Sequence, residues 1–155
     1  MIAGIAIAYS GLPVELIARH GLRGRVHDRG GELEVQFLLH AAERVLPVWL
    51  DGRLQVVRWG NRRGQSRGLP CTAWTRRETV AAGGWGDREV ARVVIPATMA
   101  LDGGVWYRVR EGVWGLLVRD HRSAPTVYVL VEPASHYYQI MTRSAWMPVL
   151  VNERI

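Results

Sequence analysis

Short apolar runs, several alternating with polar residues, recur along this chain, and no long stretch keeps a helical period. Met1 to Tyr9 is apolar and reads as a buried strand. Pro13 opens a short helix running to about His20, with Leu16 and Ile17 as its apolar face and Gly21 as its stop. Residues 21–34 are rich in Gly, Asp and Arg and read as a loop, while Gln36 to Arg44 is ambiguous between helix and strand. Val45–Leu50 and Arg53–Trp59 flank Asp51-Gly52, a hairpin signature, with Pro47 placing the first strand at an edge or a start. A basic loop follows over 60–70. Thr75 to Ala82 reads as a short helix with Thr75 and Glu78 as a capping box. Arg92–Ile95 is a strand closed by Pro96, and Val105–Val109 with Val113–Val118 reads as a second hairpin turning near Glu111-Gly112. Thr126–Val131 is a strand, Pro133 starts a helix through about Met141, and Met147–Val151 is a last strand. Some seven strands and three short helices predict an α+β fold, a single domain over 1–155 with a curved, mostly antiparallel, barrel-like sheet.

Composition narrows the chemistry. The 155 residues are 48% hydrophobic and 22% charged, which excludes a collagenous, coiled-coil or wholly disordered chain. One cysteine excludes an intramolecular disulfide framework and an all-Cys zinc site. The five histidines (20, 27, 40, 121 and 136) show no metal-ligand spacing. No nucleotide-binding glycine loop, zinc-protease motif or nucleophile elbow is present, so neither metal nor cofactor is expected. The apolar start has no basic residues before it and is far shorter than the roughly 20 residues of a membrane span. A cytoplasmic protein with no membrane partner is the expectation. The net charge of +6 is a footprint for polyanions, above all nucleic acid. All twenty basic residues are Arg, which equally fits a compositional bias.

An ordered set of motifs goes further. Arg58-Trp59-Gly60 precedes the basic loop; Trp74-Thr75-Arg76-Arg77-Glu78-Thr79-Val80, Arg92-Val93-Val94-Ile95-Pro96-Ala97 and Ser144-Ala145-Trp146-Met147-Pro148-Val149-Leu150 follow. This order resembles the SOS-response-associated peptidase-like (SRAP) family, its phage-related members most closely. The resemblance covers most of the chain from the first hairpin onward. It implies a barrel-like sheet with a basic groove that senses abasic sites in single-stranded DNA as part of a DNA-damage response. In the family, a cysteine at position 2 and its α-amine condense with the sugar aldehyde to a thiazolidine crosslink. An Asn, an acidic residue and a His surround that centre, and the family trims its own N-terminus.

Carried over residue by residue, the resemblance puts Ile2 where the reactive cysteine stands and Trp74 where the Asn stands. Arg76, Glu78 and Thr79 match. Asp102 replaces the acidic residue and Ser144 the His, with His136 a little upstream as a stand-in. The resemblance therefore implies a protein that keeps the groove and has lost the crosslinking chemistry. Candidate catalytic residues are Asp102, Ser144, His136 and Cys71; candidate DNA-binding residues are Arg58, Trp59, Arg62, Arg63, Trp74, Arg76, Arg77 and Glu78. Each has a plainer reading: Cys71 as a small buried hydrophobe, Asp102 as part of a Gly103-Gly104 turn, His136 as a helix-surface or core residue, and the arginines as a solvated loop beside core tryptophans. Trp49, Trp106 and Trp114 read as core, and Trp146 as packing or, if exposed, a stacking surface. Two rival functions stay open: residual processing of abasic DNA, through a Schiff base or the Cys71 thiol, and a phage-derived protein-interaction module.

Overall fold

The apolar start of the chain becomes β1 (Ile2–Ala8), which pairs antiparallel on one edge with β3 (Glu32–Leu38) and on the other with β8 (Met99–Asp102). The computed structural model describes residues 1–155. Strands β2 (Val26–Arg29) and β9 (Val105–Arg108) complete this five-stranded sheet in the order β2-β3-β1-β8-β9. A second sheet is built on β4 (Val45–Leu50), β5 (Arg53–Trp59), β7 (Glu89–Ile95), β10 (Val113–Arg119) and β11 (Thr126–Pro133). These five close into a barrel, because β10 pairs with β7 on one side and β11 on the other. The closure is mixed: β5 runs parallel to β11, whereas the other pairs are antiparallel. β11 extends past the barrel and takes β6 (Trp74–Arg76) on one edge and β12 (Trp146–Pro148) on the other. Helices α1 (Val14–Arg19), α2 (Arg77–Ala81) and α3 (His136–Thr142) are short. The fold is thus α+β and mostly strand, and no helix is long and apolar enough to cross a membrane.

Alternation explains the core. Leu46, Val48, Val57, Trp59, Val93, Ile95, Val113, Leu117, Val127 and Val129 point into the barrel and join a cluster of 28 buried residues that also takes in Ile5, Ile7 and Phe37 of the first sheet. The opposite faces of β10 and β11 are apolar too. Leu116, Val118, Tyr128 and Leu130 form a second cluster with Leu69 and Trp85, so the segments around β6 and α2 wrap the outside of the barrel. The 60–73 loop closes on itself: Gly60 has φ +65°, and a Cβ there would sit 2.5 Å from the Thr72 carbonyl.

Several expectations are corrected. Residues 26–38 form a hairpin rather than a loop, turning at Gly30-Gly31. The ambiguous stretch is strand to Leu38 and then turn. The Asp51-Gly52 hairpin forms, and Pro47, which has no N–H, lies where β4 makes no pairing with β7, their ladder being confined to Trp49↔Val94. β9 and β10 are not hairpin partners; one joins β8 and the other β7 and β11. Thr75 is not a helix cap: it sits in β6, and its hydroxyl accepts from the Trp85 indole at 3.0 Å. Twelve strands form where about seven were expected. Trp49, expected in the core, is 44% exposed because it alternates with the inward Val48 and Leu50.

Candidate functional site

The site begins with a register. Ile2, fully buried, lies opposite Asp102 at the end of the β1–β8 ladder, and the ladder shifts between Ile2 and Gly4. That pairing brings the start of the chain onto a buried carboxylate. The Met1 α-amine donates to Asp102 Oδ1 at 3.0 Å and to Ser144 Oγ at 2.7 Å. Ser144 Oγ donates in turn to the same Oδ1 at 2.5 Å. The second carboxylate oxygen accepts from Tyr138 OH at 2.7 Å. Tyr138 OH lies 2.9 Å from Tyr107 OH; since its own proton is spent on Asp102, Tyr107 is the donor in that pair.

Helix α3 supplies two of these groups because both its ends are well specified. Ser135 caps it, its side chain accepting from the Tyr138 N–H at 3.1 Å. Arg143 ends it in the left-handed region at φ 61°, and Ser144 follows at once, turned toward Asp102. Burial pushes both the Tyr138 and Tyr107 phenols well above the ordinary tyrosine range; the neighbouring phenol and the Asp102 carboxylate push Tyr138 further. Both therefore remain neutral hydrogen-bond donors at any physiological pH.

Next to this cluster the Trp74 indole donates to the Ile2 carbonyl at 3.1 Å. Two residues on, the Arg76 guanidinium lies over the Trp146 ring, 4.3 Å from its centroid. Arg76 and Trp146 border a cleft of about 380 Å³ that also meets Arg77, Glu132 and Arg154. Glu132 accepts from Arg77 at 3.1 Å and lies 3.6 Å from Arg154, so neither of its ion pairs involves Arg76. The nearest carboxylate to Arg76, Glu78, is 4.0 Å away, and both side chains are exposed, so that pair contributes little.

The expected residues divide. Asp102, Ser144 and Trp74 come together around the first two residues of the chain, whereas Arg76, with Arg77 and Glu78, lines the neighbouring cleft beside Trp146. Asp102 is at once the turn residue before Gly103-Gly104 and a buried acid. His136 is exposed on the first turn of α3 and does not join the cluster; Tyr138, two residues on, points inward instead. Cys71 is exposed, so it is not a buried hydrophobe, and its one polar contact is the Asn61 amide at 3.9 Å, away from Asp102.

Trp59 cannot stack on a base: it is fully buried, and its indole donates to the Ala73 carbonyl at 3.2 Å. Arg58 and Arg62 are engaged in the fold. Arg58 donates to Thr126 Oγ1 at 3.0 Å and Ser66 Oγ at 2.8 Å, and Arg62 donates to the carbonyls of Leu39, Ala41 and Ala42. Arg63 is exposed. Tyr107 and Tyr138 are the groups that sequence reasoning missed. The Ser-His-Tyr-Tyr run was visible, but the phase of α3, which selects Tyr138 over His136, depends on where Ser135 starts the helix.

The α-amine lies within hydrogen-bonding reach of a buried carboxylate. Asp102 is also placed to take its proton, which would leave a nucleophilic amine with Ser144 hydrogen-bonded at its side. With Ile2 as the next residue, no thiol accompanies it. No cluster of three or more His, Cys, Asp or Glu able to hold a metal is present. Comparisons of the chain with protein-family models, with characterised proteins and with solved structures return no match, so the functional reading rests on this geometry.

Proposed function

We propose that this protein is a divergent SRAP-like domain that binds single-stranded or abasic-site DNA across the face bearing Arg76, Trp146 and the Asp102–Ser144 cluster, without thiazolidine crosslinking. One observation carries the reading. Trp74, Asp102 and Ser144, which the resemblance maps to the family's reaction centre, belong to three separate stretches of chain and all bond to Met1 or Ile2, while Arg76 lies two residues along β6 from Trp74, over Trp146. Physical chemistry supports the ligand. A guanidinium lying on an indole keeps its N–H edges free to bridge phosphate oxygens, and an aromatic face adds roughly 1–3 kcal/mol per stacked base. The net charge of +6 favours the same partner.

Arg76→Ala is expected to weaken binding of a single-stranded oligonucleotide about tenfold, and to lower the slope of log K against log salt by about one ion. Fluorescence anisotropy over a salt series measures both. Unchanged affinity and slope would sink the proposed face.

A second reading is favoured by the amine geometry alone. With no lysine in the chain, the α-amine is its one primary amine. After Asp102 takes a proton from the ammonium, the nitrogen can attack the aldehyde carbon of a ring-opened abasic sugar, and loss of water from the carbinolamine gives an imine. Borohydride would reduce that imine to a stable secondary amine. Protein whose intact mass shows Met1 at its N-terminus is expected to give a trapped adduct with abasic, but not undamaged, oligonucleotide. The Cys71→Ala variant should trap equally well. Loss of the adduct in that variant would show that the Cys71 thiol takes part in forming it, and no adduct in either would leave binding alone.

A further inference from the structure

A second concentration of arginine lies away from this face, along the outer side of β5. Two clefts of about 490 and 320 Å³ run there, one walled by α1 and the other by the 42–44 segment, and both are lined by His20 and Val56. Arg19 and Arg53 border the first, Arg44 and Arg58 the second. Arg58 pairs with Thr126 near one end of β11, whereas Arg76 pairs with Val131 further along it. The two places are therefore separated by roughly 16 Å of strand.

The arginines here lack counter-charge. Arg44, Arg58 and Arg62 form no ion pair; their acceptors are carbonyls and hydroxyls. Arg44 Nε donates to the Trp59 carbonyl at 3.2 Å, but Arg44 Nη2 is buried with no acceptor. It is the one buried side-chain nitrogen or oxygen in the protein left without a partner. Glu15 and Glu43 line the clefts, yet neither forms an ion pair. Burial, with the nearby charges of Arg62 and Arg58, holds the Arg44 guanidinium below its ordinary value. Arg58 is lowered by burial as well. Partly desolvated like charges are costly, and an anion with several acceptor oxygens seated in the cleft offsets their repulsion. A water could satisfy the one nitrogen but not the charge.

We propose that the cleft between β5 and the 42–44 segment is a phosphate-binding site centred on Arg44 and Arg58. The shared chemistry is a phosphate group, supplied by a nucleic-acid backbone or by a free phosphorylated molecule. The site does not depend on the Arg76 face, so the two can fail separately.

Thermal unfolding tests it, with inorganic phosphate and pyrophosphate compared against chloride at equal ionic strength. The wild-type protein is expected to gain about 4 °C at ten times the anion's Kd. Arg44→Met, which keeps the stem and removes the charge, should lose that gain while melting near or above wild type without anion. Arg44→Lys should keep only part of the gain, since an ammonium cannot bridge two oxygens. A purely structural Arg44 would instead lower the melting point and leave the anion response intact; that result, or no response in the wild type, overturns the proposal. The same variants, titrated with a single-stranded oligonucleotide, separate the sources. Weakened binding in Arg44→Met, with the phosphate response kept in Arg76→Ala, assigns the site to the DNA backbone. Unchanged oligonucleotide binding with a lost phosphate response assigns it to a free phosphate.

Discussion

Asp102→Ala is expected to lower the melting temperature by on the order of 10 °C, corresponding to about 3 kcal/mol for a domain of this size. The carboxylate is 1% exposed and accepts from three donors: the Met1 amine, Ser144 and Tyr138. Alanine leaves Ser144 and Tyr138 without their acceptor, and Tyr138 is itself fully buried. The amine is less costly to strand than the phenol, because it keeps Ser144 Oγ as an acceptor at 2.7 Å. The loss should therefore fall below the upper end for a fully buried pair. Tyr107→Phe removes only the far end of the hydrogen-bond chain and is expected to cost about 1 kcal/mol. Urea midpoints for the two variants check the ratio. An Asp102→Ala protein within about 1 kcal/mol of wild type would mean that the cluster does not hold β1 to β8.

Gly103→Ala should be comparably damaging for a different reason, and its neighbour is the control. Gly103 adopts φ +57°, and a Cβ there would stand 2.1 Å from the Thr142 carbonyl oxygen. That oxygen belongs to the last residue of α3, which is backbone and cannot swing aside. Relief requires moving the end of the helix, and with it Ser144, which follows two residues later and bonds to Asp102. Gly104 has φ +77° but open space around its Cα. Gly104→Ala thus carries only backbone strain, of about 1 kcal/mol, whereas Gly103→Ala adds the displacement and is expected to exceed 3 kcal/mol. Equal urea midpoints for the two variants would show that α3 yields easily, and that the tight approach of turn to helix does not position the site.

Local chemistry was readable along the chain wherever it decided the outcome by itself. The Asp51-Gly52 turn imposes a tight reversal on two β-rich runs, and the hairpin β4–β5 forms as expected. The apolar run at the start has no polar face to offer water, so β1 became a central strand with partners on both edges. β2 escaped notice because an edge strand pairs by backbone: Val26-His27-Asp28-Arg29 carries little apolar content, yet its ladder to β3 is complete. The pairing of β9 and β10 was misjudged because closeness in sequence favours a hairpin, while closing the barrel needed β10 between β7 and β11.

The candidate site divides in the same way. The resemblance pointed to Trp74, Arg76, Asp102 and Ser144 as residue types in order. Trp59 reads from sequence as a stacking platform and Trp146 as packing or, if exposed, a stacking surface; the fold buries Trp59 inside the barrel and leaves Trp146 half-buried beneath Arg76. The resemblance sets Asp102 and Ser144 around the start of the chain, and the Ile2↔Asp102 register brings the α-amine onto them; Tyr138 could not be placed in advance, since it depends on the phase of α3. Arg44 looked like any other arginine until the fold denied one of its nitrogens an acceptor. Turn chemistry, apolar runs and net charge are properties of neighbouring residues and survive in any conformation that keeps them adjacent. Which carboxylate meets which amine, and which arginine is left without a counter-charge, depends on contacts across a hundred residues, and those exist only once the sheets have closed.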